Sequence, residues 1–131
     1  MSEFADGEFD IVFSNSVIEH VGNDECRMQM AKEIQRVGKK YFVQTPNFYF
    51  PIEPHFMYPF FQFLPLPMKV WILTNIGRRH KKVADREKAK QIANGIYLLR
   101  KKELIKLFPQ ATIFEEKFLG LTKSFVAYEN P

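Results

Sequence analysis

The chain has 131 residues, 46% of them hydrophobic and 26% charged, and carries a net charge of +4. These are the proportions of one soluble globular domain, long enough to bury a core, with only a weak lean toward anionic partners. Cys26 is the only cysteine, which excludes an internal disulfide and a metal site built on several thiolates, and fits a reducing, cytoplasmic setting.

The first residues, MSEFADGE, are acidic and lack a basic-then-apolar secretory pattern. Phe9 to Phe13 (FDIVF) is short, apolar and β-prone, and its near-continuous hydrophobicity predicts a strand buried on both faces. Asn23 is a good helix N-cap, followed by Asp24 and Glu25 where the helix dipole favours negative charge. Cys26, Met30, Ile34 and Val37 then recur at helical spacing. Gly38 fits the left-handed position just past the helix end. A second strand is expected at Tyr41 to Thr45 (YFVQT), stopped by Pro46. Strand, helix and strand with short links make a parallel βαβ unit.

From Pro46 to about Asn75 runs a Pro- and Phe-rich insert in which two or more short helices are expected, the clearest at Met68 to Leu73. Within it, Phe56 to Ile76 (FMYPFFQFLPLPMKVWILTNI) is apolar and long enough to raise a membrane span. Pro59, Pro65 and Pro67 interrupt it and Lys69 sits inside it, so an interfacial or substrate-covering segment is the expectation. The basic run Arg78 to Lys90 is expected to be helical from Val83 onward. It suits either a solvated helix face or contact with phosphates, and no nucleic-acid reading motif accompanies it. Asn94-Gly95 marks a turn. Lys101 to Phe108 reads as a helix with Leu104, Leu107 and Phe108 on one face. Thr112 to Phe118 and Ser124 to Tyr128 read as an antiparallel hairpin, with Gly120 and Lys123 in its turn. The whole is a single α/β domain, 1–131, with an insert at 46–95, a parallel core and an antiparallel strand near one edge.

In open parallel sheets ligands bind outside the carboxyl ends of the strands. Two loops qualify: Ser14 to His20 after the first strand, and Thr45-Pro46-Asn47 after the second. Their hydroxyls and amides can bond a polar ligand, and His20 can accept a proton or orient a hydroxyl. Equally, Ser14, Asn15 and Ser16 can cap a short helical turn while His20 packs structurally.

The segment FDIVFSNSVIEHV resembles the fourth-strand region of class I S-adenosylmethionine-dependent methyltransferases, especially the group called methyltransferase type 11. KEIQRVGKKYFVQTPNFYFPIEPHF resembles the helix and fifth strand that follow there, and YLLRKKELIKLFPQATIFEEKFLGLTKSFVAYE the closing helix with strands six and seven. The resemblance implies a Rossmann-like sheet, partial, with strands corresponding to 4-5-7-6 and helices packed on it. It implies S-adenosylmethionine as cofactor in the complete domain. It places Ser14 and Asn15 near the methionine part of that cofactor, His20 facing the reaction centre, and Thr45, Asn47 and His55 toward the acceptor. The acceptor would be a small molecule or a lipid- or glycan-linked one, and no metal is implied.

The family's Gly-x-Gly turn and the acidic residue on its second strand have no counterpart here: the six glycines are scattered and none forms Gly-x-Gly. In the family's order, 3-2-1-4-5-7-6, the opening strand would pair with strand one. Here it would be an edge, a template for association. A truncated product, or a chain whose exposed strand is covered by a partner or a second copy, is therefore expected, with weak cofactor binding alone. The competing expectation is a non-catalytic half-domain that docks on a partner protein or a membrane surface through the Phe-rich insert.

Overall fold

The computed structural model describes residues 3–53, 58–76 and 84–130. Strand β1 (Phe9–Asn15) is followed by a one-turn 3-10 helix, Ile18–His20, then α1 (Asp24–Val37) and β2 (Gly38–Pro46). The insert holds a two-residue hairpin, β3 (Ile52–Glu53) with β4 (Tyr58–Pro59), a 3-10 turn at Phe61–Phe63, and α2 (Leu66–Asn75). Then come α3 (Arg86–Asn94), α4 (Lys101–Leu107), β5 (Thr112–Phe118) and β6 (Leu121–Tyr128).

The main sheet has the order β1-β2-β6-β5, with β1 parallel to β2 and β6 antiparallel to both its neighbours. This is the α/β sheet the sequence implied, including the crossing of the last two strands. The Asn23 side chain accepts the Cys26 amide at 2.9 Å and starts α1. The buried stripe of α1 is Arg27, Ala31, Ile34 and Val37; Cys26, expected in that stripe, is exposed. Arg27 takes the inner place because its guanidinium bonds the Val21 and Gly22 carbonyls at 3.0 and 3.1 Å, which satisfies a buried cation.

Gly38 is not left-handed: its φ is −97° and ψ 134°, already strand-like. A Cβ there would stand 2.7 Å from a Val12 methyl and 2.8 Å from the Lys40 carbonyl, so the glycine serves close approach between the helix end and β1. The hairpin turn is Leu119-Gly120, both at positive φ, and Lys123 lies inside β6 rather than in the turn. Helix α2 is longer than expected at both ends, and α3 begins at Arg86; Arg78 to Val83 lie outside the described residues.

Helices α1 and α4 cover one face of the sheet. There Ile34, Ala31, Leu104 and Phe108 meet Tyr41, Val43, Phe125 and Ala127, each large side chain contributing about 1.5–3 kcal/mol by leaving water. Among the described residues the opposite face is open along β1 beyond Phe9, whose ring meets that of Phe4 at 5.0 Å. Ile11 and Phe13 are 65% and 66% exposed, Phe114 is exposed on β5, and Phe13 stacks on the exposed Phe42 of β2 at 5.4 Å. The expectation that β1 is buried on both faces is thus corrected. Alternation puts Val12 and Ser14 on the helix side and Phe9, Ile11 and Phe13 on the other, where no described element packs.

A second cluster joins Phe61, Val70, Ile72 and Leu73 of the insert to Ala89 and Ala93 of α3. Phe60, Phe63, Met68 and Trp71 point outward. Among the described residues no helix is long and apolar enough to cross a membrane.

Candidate functional site

Parallel pairing brings the carboxyl ends of β1 and β2 to one rim, with Ser14 beside Val43 and Asn15 beside Gln44. The chain leaves β1 through Ser16, held at φ 54°. The Ser16 amide donates to the Gln44 carbonyl at 3.0 Å, and its hydroxyl lies 3.2 Å from the Asn15 side-chain oxygen and 3.3 Å from that of Gln44. Asn15, Ser16 and Gln44 therefore form one uncharged polar tip at the end of the bare sheet face. Ser14 is separated from them by strand alternation: it is buried on the helix side, and its hydroxyl has no hydrogen-bond partner among the described residues. The two residues expected near a cofactor, Ser14 and Asn15, thus face opposite ways.

The short helical turn after β1 is present, though its cap position is Val17, with no side-chain capping bond. His20 ends the turn and is exposed, its amide bonded to the Val17 carbonyl at 2.9 Å. Thr45 is fully buried and donates its hydroxyl to Glu19 at 3.2 Å. Asn47 is buried as well, donating to the Thr122 carbonyl at 2.8 Å while its side-chain oxygen accepts the Tyr49 amide at 3.1 Å. Thr45 and Asn47 accordingly act as fasteners at the rim. His55 lies outside the described residues.

Glu19, which the sequence reading did not single out, is 1% exposed. Its side chain takes the Thr45 hydroxyl and its carbonyl takes the Tyr97 amide at 2.7 Å. It ties the loop after β1 to the end of β2 and to the segment before α4. The available signal was a lone carboxylate inside the apolar run Val17 to Val21.

A second constellation lies beside this rim. The Arg27 guanidinium sits 4.1 Å above the Tyr97 ring, a cation–π geometry. The Tyr97 hydroxyl donates to Glu103 at 2.5 Å; that bond, and then burial, raise the Tyr97 hydroxyl above its ordinary pKa. Arg100 lies 4.3 Å over the Phe48 ring and donates to the Tyr49 hydroxyl at 3.1 Å, and this bond holds its guanidinium even more firmly protonated. Arg27, Phe48, and the pair Tyr97 and Arg100 come from three places in the chain, and none was marked as a site residue by sequence.

The polar tip can hydrogen-bond a ligand's amino or carboxyl group but brings no charge to neutralise one. No Gly-x-Gly turn accompanies the tip in the sequence, so by itself it offers hydrogen-bonding groups along one side of a ligand. Among the described residues no three His, Cys, Asp or Glu side chains gather as a metal site requires.

A family model described as a methyltransferase domain matches residues 1–41. The uncharacterized proteins MT1557 and Rv1509 of Mycobacterium tuberculosis are each 38% identical to the chain over 53 residues. That stretch is 40% of this chain and 18% of the length of either relative. The crystal structure of a SAM-dependent methyltransferase from Methanosarcina mazei superposes with a TM-score of 0.50 at 16% identity, covering 96% of this chain and 61% of that one. The front segment in sequence, and nearly the whole chain in fold, support the resemblance to class I S-adenosylmethionine-dependent methyltransferases.

Proposed function

We propose that this chain, similar in its front segment and in its sheet to class I S-adenosylmethionine-dependent methyltransferases, supplies strands four to seven of such an enzyme. The observation that carries the reading is the sheet itself: a parallel β1 at the edge, β2 and β6 in the middle, and a polar tip at the β1 end beside an uncovered apolar face. The remaining cofactor contacts would come from elements paired outside β1, so the 131 residues alone hold one side of the cofactor.

When bound, S-adenosylmethionine supplies a methyl group on sulfonium that moves in line to the acceptor, and alignment accounts for much of the acceleration. Asn15 and Ser16 would bond the cofactor's methionine portion, with Ser14 buried behind them. His20, exposed at the end of its turn, would orient the acceptor or take its proton. Glu19 and Thr45 act through position: their buried bond fixes the loop that carries His20. By resemblance, Asn47 and His55 would belong to the acceptor side, the acceptor being a small molecule or a lipid- or glycan-linked one. The reducing cytoplasm, with contact at a membrane surface, is the setting in which we place it.

Isothermal titration with S-adenosylmethionine tests this. The chain alone should give weak or no saturable heat; micromolar binding by the chain alone would show that the cradle is complete without further strands.

A second reading has its own observation. Phe60, Phe63, Met68 and Trp71 form an exposed apolar surface on the insert, of the kind that marks a partner or membrane contact. A docking half-domain would sediment with liposomes containing anionic lipid; recovery in the supernatant would remove the membrane form of this reading.

A further inference from the structure

The turn between β5 and β6 has the wrong residue for its backbone. Phe118 pairs with Leu121, so Leu119 and Gly120 alone make the turn, and their φ angles are 50° and 80°. A two-residue turn with both φ positive is usually Asn-Gly or Gly-Gly, because most side chains with a Cβ are strained there. Leu119 takes the first place and is 88% exposed, with Phe118 and Leu121 exposed behind it. The strained backbone thus holds a leucine out in water, where it adds almost nothing to the core.

Phe60 repeats the pattern. Of the three non-glycine residues at positive φ among the described residues, two, Phe60 and Leu119, are exposed hydrophobics. They are joined by contact: the Phe118 ring meets that of Phe50 at 6.5 Å, and the carbonyl of the next residue, Pro51, accepts the Phe60 amide. In α2, Met68 and Trp71 are exposed three residues apart, hence on one helix face, and Lys69 is the only charged residue of that helix. Completing the sheet does not cover the hairpin tip, since β5 is the edge opposite β1.

The charge around these groups is positive. Lys117 and Lys123 stand exposed on the two strands just behind the tip, in the run KFLGLTK. Glu116 approaches Lys123 only to 3.8 Å, a loose exposed pair. By sequence the insert, residues 46–95, has eight Lys and Arg against three Asp and Glu, a net of +5 where the whole chain has +4. An apolar projection with cations directly behind it complements an anionic bilayer, whose acyl chains take the tip while its phosphates lie level with the lysines.

We propose that the β5–β6 tip enters the surface of an anionic phospholipid bilayer. Phe118, Leu119 and Leu121 sit among the upper acyl chains, Lys117 and Lys123 meet the phosphates, and Trp71 of α2 rests at the headgroup level. The inference rests on the membrane form of the second reading above and adds the element that penetrates.

The test is co-sedimentation of the 131-residue chain with phosphatidylcholine vesicles, with and without phosphatidylglycerol, read together with the emission of Trp71, the only tryptophan. The expected result is salt-sensitive binding to the anionic vesicles and a blue shift of Trp71. Leu119→Gly suits the turn better than leucine does, so the variant keeps its thermal melt. It should bind about tenfold more weakly, the loss expected when one leucine no longer leaves water. The double variant Lys117→Gln, Lys123→Gln should bind weaker by about tenfold or more. Anionic-vesicle binding and a Trp71 shift that Leu119→Gly leaves unchanged would overturn the tip and leave contact through the insert standing. Equal binding to neutral vesicles would overturn the pairing of lysines with phosphate. Binding to neither would remove the tip and the membrane form of the second reading together.

Discussion

Gly38 illustrates how much one missing methyl group decides. A Cβ there would press on Val12 and on two carbonyls, those of Lys40 and Ile34, and two of the three atoms are backbone that cannot swing aside. Gly38→Ala should therefore lower stability by about 1–3 kcal/mol, the usual cost of overpacking. Gly22→Ala, which would meet only the Cys26 side chain at ordinary contact distance, should be near neutral; paired denaturant melts read both. From sequence, Gly38 was legible as a helix stop but not as a contact, because its neighbours Val12 and Lys40 come together only after β1 and β2 pair. Glu19 and Arg27 were missed for a related reason. A charged side chain in an apolar run reads as solvent-facing until its partners are known, and here those partners are Thr45 for one and two loop carbonyls for the other.

At the scale of elements, surface ion pairs run both within one element and between neighbours. Lys101 of α4 reaches Glu115 of β5 at 2.6 Å, Arg36 reaches Glu33 at 2.9 Å within α1, and Lys39 of β2 reaches Asp10 of β1 at 2.7 Å. In each case the hydrogen bond from the cation is the leading cause that holds the carboxyl below its ordinary value, 4.5 for Glu33 and Glu115 and 3.8 for Asp10. A carboxyl lowered in the folded state contributes stability that is complete above its unfolded pKa and is lost as pH falls through the folded one. The melting temperature should therefore begin to fall below about pH 4.5, and the slope should flatten in high salt, most for the exposed Asp10 and less for the half-buried Glu33 and Glu115. Thermal melts of the chain and of Glu115→Gln across that range check it: the variant should lose part of the acid dependence, and an unchanged slope would remove this pair from the account. The elements themselves were largely legible. The βαβ unit, the closing helix and the hairpin carry clean periodicities, whereas the insert does not, since its prolines and phenylalanines fit a turn, a short helix or a hairpin equally well.

For the whole molecule, the open side of the sheet is the governing feature. An apolar β1 whose outer hydrogen-bonding edge and, beyond Phe9, aromatic face are open among the described residues is an interior strand by composition and a border strand by position. The order of the four strands was legible through resemblance. The constellation around Arg100 was not, because it sets Phe48 and Tyr49, at the start of the insert, against Arg100 beyond its far end, and no local pattern fixes the path between them.

The most direct test of the central claim, that the β1 tip is one wall of a nucleoside-cofactor site, is an amide NMR titration of the chain with S-adenosylhomocysteine. Shifts centred on Asn15, Ser16 and Gln44 are expected, with an affinity no tighter than about millimolar, the strength left when most contacts are missing. Shifts that bypass the β1 tip, or saturation at micromolar ligand, would contradict it.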